Sequence, residues 1–156
     1  MPVDDWAPEI KTNMEAVHTA ALAAEEIPTQ GVVYGYNEWP ATLISYPATL
    51  IGTLGGSQDY SIAGPRIAYH NVRIWIFMSE GLALAETQKM AWPFVERVRD
   101  RFALSITMNG KVNHFIPPPW PAIFYEVGVL PYGGIDYGAI IFNYDLKETE
   151  SFTVGE

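Results

Sequence analysis

The chain has 156 residues, 49% of them hydrophobic and 17% charged, a balance typical of one globular domain and not of a disordered segment. Its formal net charge is −9, with nine Lys and Arg spread along the sequence, which argues against a general nucleic-acid binder. The absence of cysteine excludes disulfides and thiolate metal sites, and no apolar run reaches the length of a membrane span. The acidic start MPVDDWAPEI lacks the regions of a secretion signal, so we expect a single soluble domain over residues 1–156, made inside the cell.

The first predicted element is a helix with one apolar stripe. Asp5 can cap it, and Pro8 suits its first turn, where a missing N–H costs nothing. Pro28 and Gly31 end it. The stripe recurs at spacings of three and four residues and consists of Ile10, Met14, Val17, Ala21 and Ala24.

Residues 40–65 are predicted to contain a short strand and then an open segment. Pro40 and Pro47 bracket the strand, over residues 41–46, and both disfavour extending its ladder. Residues 48–65 carry four glycines and, except for Asp59, no charge. This composition predicts an extended Gly-rich loop or a loose hairpin with its tip near Gly55–Gly56.

A strong strand, RIAYHNVRIWIFM, and a second helix follow. The two faces of the strand consist of Val72, Ile74 and Ile76 on one side and Asn71, Arg73 and Trp75 on the other. The helix is predicted from about Leu82 to Phe102, and Pro93 should kink it or mark a fresh start, at a local cost of about 3 kcal/mol. Its inner face is Ala91, Phe94 or Val95, Val98 and Phe102, and its solvent face is Glu96, Arg97, Asp100 and Arg101.

The C-terminal part is predicted as an antiparallel pair of strands. A turn at Asn109–Gly110 and the proline-rich FIPPPWPA, for which polyproline II is the natural conformation, lead into the strand IFYEVGVL. Pro131 and Gly133–Gly134 turn the chain into a closing strand, which we expect to complete the sheet and leave an edge for a neighbouring subunit. The tail from about 149 to 156 is expected to be mobile. The closing strand alternates Ile140, Phe142, Tyr144 and Leu146 with Ile141, Asn143, Asp145 and Lys147.

These elements predict an α+β domain. Its sheet should be mainly antiparallel, with four to five strands, two helices packed on one face and the extended Gly-rich loop or hairpin. No repeat or long linker divides the chain.

No motif indicates catalysis, so we expect no enzyme and no catalytic, cofactor-binding or metal-binding residues. His18, His70 and His114 are more than forty residues apart, and no pair has a metal-binding spacing. The stretch GTLGGS lacks the G-K-[ST] ending of a phosphate loop. Glu96 and Asp100 share a helix face, but the arginines beside them favour a solvated, mixed-sign surface over a proton-transfer pair.

The aromatic residues leave two interpretations open. Trp39, Trp75, Trp120 and Tyr125 could line a pocket for a small ligand, but core packing or a subunit contact is the commoner use of such rings. The loop at residues 48–65 is too apolar for a solvated connection and would expose an apolar patch in a monomer, which usually marks an interface. The candidate oligomer contacts are Leu50, Ile51, Leu54, Tyr60, Ile62 and Trp120.

The order of elements and two stretches, YGYNEWPATLISYPA and YGGIDYGAIIFNYDL, resemble the tail terminator and related head–tail joining (neck) proteins of long-tailed bacteriophages. The likeness extends over nearly the whole chain and consists of element order and turn chemistry. It implies an α+β fold without enzymatic activity, whose copies assemble as a ring, typically of six. Such a ring caps the completed tail tube and presents a surface to the head connector.

The resemblance thus implies a structural protein of the virion, in its tail or neck region, made in the host cytoplasm. The implied partners are further copies in a homohexamer, the tail tube protein and the head connector or head completion protein, with no cofactor and no membrane. An acidic lumen would repel DNA, which could then pass without specific binding. The alternatives are another neck or tail-completion protein on the same scaffold, or a small-ligand-binding α+β domain or enzyme that uses the aromatic pocket.

Overall fold

The computed structural model describes the backbone of residues 3–27, 29–59, 66–80, 84–103 and 123–150. These ranges form two helices, α1 (Val3–Ala23) and α2 (Leu84–Ala103). They also form five strands: β1 (Val32–Tyr34), β2 (Ala48–Asp59), β3 (Arg66–Glu80), β4 (Ile123–Tyr132) and β5 (Ile135–Glu150). The predicted α+β class with two helices is therefore confirmed.

The five strands form one mixed sheet in the order β1-β2-β3-β5-β4. β1 runs parallel to β2, with Val32 opposite Ala48, and the other three neighbouring pairs are antiparallel. The sheet is therefore mostly, but not purely, antiparallel. Because adjacent parallel strands need a crossover, residues 35–47 have to carry the chain from the end of β1 back to the start of β2.

This crossover segment, residues 35–47, replaces the strand that the sequence predicts over residues 41–46. The prediction of that strand is wrong: no residue between Gly35 and Pro47 is in a strand, and Leu43 is buried while Ile44 is 82% exposed. The paired strand lies earlier, at β1, and spans only three residues. The cause is topological, since a segment that crosses the sheet cannot also pair within it.

Both helices pack on one face of the sheet. Val72, Ile74 and Ile76 of β3 are fully buried on that face, as predicted from their alternation. The core there also contains the α1 stripe, except Ala24, which is exposed beyond the end of the helix. The α2 inner face is buried as predicted, by Ala91, Phe94, Val95, Val98 and Phe102.

The opposite face of the sheet is covered in part by the crossover segment. Leu43 packs there with Phe77, Tyr137 and Ala139 in a second, smaller cluster. The sheet is therefore buried on both faces near its middle, which explains why β3 and β5 are so rich in apolar residues.

Two details of the helices differ from the prediction. Asp5 lies inside α1 and does not cap it, because the helix begins at Val3. On α2, Glu96 and Asp100 are exposed as expected, but Arg97 and Arg101 are partly buried. The helix continues through Pro93 without a fresh start.

Three predictions about the strands are corrected by the pairing. Gly55 and Gly56 lie opposite Asn71 and His70 within the β2–β3 ladder, so the hairpin tip is not there. β5 is not an edge strand, since it pairs with β3 on one side and β4 on the other. It also runs to Glu150, two residues into the tail predicted to be mobile.

The β4–β5 connection is the tight turn that the sequence predicts. Gly133 and Gly134 have φ of 60° and 82°, the left-handed values that a two-residue hairpin of type I′ requires. The predicted turn at 109–110, the proline-rich stretch 115–122 and residues 60–65 and 151–156 lie outside the described residues.

Candidate functional site

A first aromatic surface, here called the Trp39 groove, lies on the sheet face opposite the helices. The rings of Trp39 and Trp75 meet edge to face, 5.1 Å between centroids and at 83°. Trp39 is 43% exposed, and its indole Nε1 donates a hydrogen bond of 3.0 Å to the carbonyl of Ile51. The cavity beside these rings has a volume of about 240 Å³ and is lined by Trp39, Leu50, Trp75, Phe77, Leu130, Pro131 and Tyr132.

Neighbouring polar groups fix the walls of this groove. The Tyr132 hydroxyl donates to the carbonyl of Pro40, which ties β4 to the crossover segment. Arg73 lies over the Trp75 ring, 5.8 Å from its centroid, and donates from Nε to Oδ1 of Asn143 at 2.8 Å. The Trp39 indole N–H, the Tyr132 hydroxyl and Nε of Arg73 are thus already used within the chain, which favours an apolar occupant.

A cluster of tyrosines supports the same face of the sheet. Tyr46 and Tyr137 have ring centroids 5.7 Å apart, and Tyr137 also meets Phe77 edge to face at 5.4 Å. Burial, and then a hydrogen bond with Tyr137, raises the pKa of Tyr46 to about 12. Burial likewise raises the pKa of Tyr132. These phenols therefore stay neutral at ordinary pH, and their rings pack on the sheet while the Tyr132 hydroxyl donates to Pro40.

A second aromatic surface, here called the Trp92 groove, lies between α2 and the edge strand β4. Trp92 is 54% exposed, and its ring centroid is 6.5 Å from that of Tyr125. Tyr125 packs in turn on the buried Phe142, 6.1 Å between centroids, which anchors the groove to the core. Its volume is about 480 Å³, and its lining residues are Gln88, Lys89, Trp92, Val95, Tyr125 and Val127.

The single aromatic pocket considered from the sequence is therefore wrong. Trp39 and Trp75 do come together, but Tyr125 lies on the helix side of the sheet, opposite Phe142 in the register. Trp120 lies outside the described residues. Trp92, which completes the second groove, was missed because it occupies an exposed position of a helix whose solvent face otherwise reads as charged.

His18 is buried and structural. Its Nδ1 lies 2.8 Å from the carbonyl of Gln30, and its Nε2 lies 2.8 Å from the Thr49 hydroxyl. Desolvation lowers the pKa of His18, although the hydrogen bond to Gln30 opposes this shift. His70 pairs with Leu146 in the β3–β5 ladder, and His114 lies outside the described residues. The two histidines that the structure places are therefore in different parts of the fold.

No group of three or more potential metal ligands occurs among the described residues. Glu96 and Asp100 are exposed on α2, as a solvated helix face requires. None of the described helices is long and apolar enough to cross a membrane.

Two of the candidate oligomer contacts are accounted for within the chain. Leu50 and Ile51 are each 1% exposed and pack on opposite faces of the sheet. Leu54 lies in β2, but its side chain is outside the described set, as are Tyr60, Ile62 and Trp120. The apolar surface that the described residues do expose is concentrated instead at Trp39, Ile44, Trp92 and Val129.

Comparison with known proteins does not add an assignment. Neither a protein-family model nor a curated protein sequence matches this chain.

Proposed function

We propose that this protein is a structural virion protein of the tail terminator or head–tail joining class. Its copies form a ring, typically of six, that caps the tail tube and joins it to the head connector. The protein has no catalytic role, and DNA passes through the lumen of the ring without specific binding.

The observation that carries the proposal is the packing of the two stretches that resemble this class. YGYNEWPATLISYPA spans Tyr34–Ala48, and YGGIDYGAIIFNYDL spans Tyr132–Leu146. They meet on one face of the sheet, through the Tyr46–Tyr137 ring contact and the hydrogen bond from Tyr132 to Pro40. Stretches far apart in sequence thus form one packed unit, so the resemblance concerns a spatial arrangement and not two unrelated turns.

The shape of the sheet also supports a role in assembly. β1 pairs only with Ala48–Leu50 of β2, and the β4 ladder ends at Ile123 opposite Tyr144. Beyond these points the described sheet continues as β2, β3 and β5 alone, out to Asp59, Arg66 and Glu150. A three-stranded extension of this kind offers a long surface to neighbouring chains.

The negative net charge of the protein supports the proposal that DNA passes through the lumen without binding. Each copy carries a formal charge of −9, so the ring as a whole is strongly acidic. Carboxylates facing a lumen repel phosphates, the reverse of the counterion release that holds DNA-binding proteins on DNA.

The test is native mass spectrometry of the purified protein across a concentration series, with and without polymerised tail tubes. A six-fold species, alone or on the tubes, is the expected result. A monomer that ignores the tubes at every concentration would contradict the proposal.

The Trp39 groove favours a second candidate, a domain that binds a small apolar ligand. Its volume of about 240 Å³ is below the usual range for drug-sized ligands, so only a small occupant fits. This candidate expects a rise in melting temperature with an apolar ligand, whereas the ring protein expects concentration-dependent assembly and no such rise.

A further inference from the structure

The Trp92 groove has the features of a surface that receives an extended peptide. Trp92 and Tyr125 stand at 62° to each other and form two aromatic walls, while Val95 and Val127 form an apolar floor. Gln88 and Lys89 add polar donors at the rim. The hydrogen bonds within the described part of the chain use none of the donors in the groove, namely the Trp92 indole N–H, the Tyr125 hydroxyl, the Gln88 amide and the Lys89 ammonium.

We propose that this groove binds the proline-rich segment of a second copy of the chain, residues 115–122, FIPPPWPA. Aromatic-lined grooves with free donors recognise polyproline II segments, since such segments offer flat pyrrolidine rings and exposed carbonyls. Proline has no N–H, so this segment presents mainly acceptors. The groove and the segment are therefore chemically matched. The aromatic rings of the groove can pack on the pyrrolidine rings of the segment, and the donors of the groove can bind its backbone carbonyls.

The connection to β4 favours a second copy over the same chain. Only Ala122 separates Pro121 from Ile123, the first residue of β4. Tyr125 and Val127 lie further along β4, in the direction that leads away from the segment. Residues that precede a proline, such as Ile116 and Trp120, favour extended conformations, so the sequence disfavours a tight reversal of the segment onto the groove of its own chain. The segment of another copy approaches the groove without this constraint.

Charge favours the same arrangement. Residues 104–122 contain none of the 18 carboxylates of the chain and carry one lysine, Lys111. Two copies of net charge −9 repel each other, and the repulsion is smallest where one of them contributes a segment without acids. The groove itself carries a cation, Lys89, and no carboxylate.

This inference rests on the self-association in the proposed function but not on a place in a phage tail. The inference identifies one pair of surfaces that meet between two copies, and the proposed ring does not specify which surfaces these are.

The first test is a titration with a synthetic peptide of residues 114–122. The receptor is the full chain with Pro117→Ser, Pro118→Ser and Pro119→Ser, whose own segment can no longer compete. The readout is the backbone amide NMR signals of Val95 and Val127, which line the groove and are retained in every receptor variant. We expect a saturable shift, and Trp92→Ala in the receptor should weaken binding by roughly tenfold or more, the loss typical of an anchoring aromatic side chain.

Two controls make this test specific. Ile44→Ala removes an apolar side chain that is 82% exposed and outside the groove, and it should leave peptide binding unchanged. Trp92→Phe keeps an aromatic wall and should bind the peptide better than Trp92→Ala. A flat titration, or one that Trp92→Ala does not alter, would overturn the proposal.

The second test decides between a second copy and the same chain. A Trp92→Ala chain, with its segment intact, is mixed with the triple-serine chain, whose groove is intact. Only one productive contact is then possible, so we expect a one-to-one heterodimer by light scattering that neither variant forms alone. Peptide binding without a heterodimer would overturn the proposal in favour of docking within one chain.

Capping of tail tubes by the wild-type protein is scored separately. Capped tubes without a heterodimer would remove this inference and leave the proposed function standing. If the heterodimer forms but the wild-type protein never binds tubes, this inference stands and the proposed function is contradicted.

Discussion

His18 has a defined tautomer because the carbonyl of Gln30 can only accept a hydrogen bond. Nδ1 therefore carries the proton, and in the neutral ring Nε2 accepts from the Thr49 hydroxyl. The ring also meets Phe94 of α2 edge to face at 5.5 Å. One histidine thus connects α1, β2, α2 and the loop after α1, and it does so in the uncharged form.

This geometry gives a pH dependence of stability. The pKa of His18 is lowered in the folded state, so the unfolded chain binds the proton more readily. The contribution of His18 to the free energy of unfolding should be fully present above about pH 6.5, which is the pKa of histidine in the unfolded chain. This contribution should be lost as the pH falls from there towards the lowered pKa of the folded state. Urea unfolding at pH 7.5, 6.5 and 5.5 measures this loss. His18→Gln should lower stability at pH 7.5 but flatten the slope, and an equally steep slope in this variant would assign the effect to other groups.

Gly138 is required by a close approach and not by its backbone angle. A Cβ added there would overlap Oγ1 of Thr87, which is fully buried on α2. We expect Gly138→Ala to lower the free energy of unfolding by about 1–3 kcal/mol, the usual cost of overpacking a core. Gly128→Ala is the matched control, because its added Cβ meets nothing within 4 Å.

The same site predicts a rescue. Thr87→Ala removes the overlapping hydroxyl, so the double variant should be more stable than the sum of the two single changes indicates. Strict additivity in urea unfolding would show that the two residues do not touch.

At the scale of elements, an ion pair connects α2 to the chain just after α1. Arg97 binds Glu26 through both Nε and Nη2, the latter at 3.0 Å, and both side chains are partly buried. The hydrogen bond to Glu26 raises the pKa of Arg97. A double-mutant cycle with Glu26→Gln and Arg97→Gln should give a coupling energy of about 0.5–1 kcal/mol. Glu38→Gln breaks the more exposed pair with Lys11, so it should lower the free energy of unfolding less than Glu26→Gln does. The opposite ranking would contradict the view that the Arg97–Glu26 pair is the stronger of the two.

The elements with long, regular patterns could be predicted from the sequence, and the short ones could not. The stripes of α1 and α2 and the alternation of β3 and β5 each repeat over several turns or residue pairs, so local chemistry determines them. β1 has three residues, which is too few for a pattern, and its pairing depends on Ala48–Leu50, fourteen or more residues away. The glycines of β2 favour a loop locally, but β3 supplies the ladder that makes it a strand.

The candidate sites show the same limit. The sequence leaves open a pocket that contains Trp39 and Trp75, and the structure does bring these two rings together. Trp92 and Tyr125 meet only because β4 lies next to β5 at the edge of the sheet, a non-local fact that neither helix nor strand periodicity contains.

At the scale of the whole molecule, the net charge of −9 opposes self-association, while the exposed aromatic and aliphatic side chains favour it. Salt screens the repulsion between the negatively charged copies, since the Debye length falls from about 10 Å at 0.1 M to about 3 Å at 1 M. Salt does not weaken the burial of apolar area between them. We therefore expect the assembly constant to rise as NaCl increases from 0.05 to about 0.5 M. Sedimentation velocity across a concentration series at each salt level measures it.

Two comparisons separate screening from a general effect of salt. Lys substitution at the exposed Glu96 and Asp100, neither of which lines a groove, lowers the net negative charge. This variant should assemble more strongly at low salt and respond less to added salt. Duplex DNA at 0.05 M NaCl should not be retained by the wild-type protein, because phosphates meet a negative surface. Assembly that weakens with salt would instead mean that ion pairs between copies hold the interface, and the apolar contacts would lose their leading role.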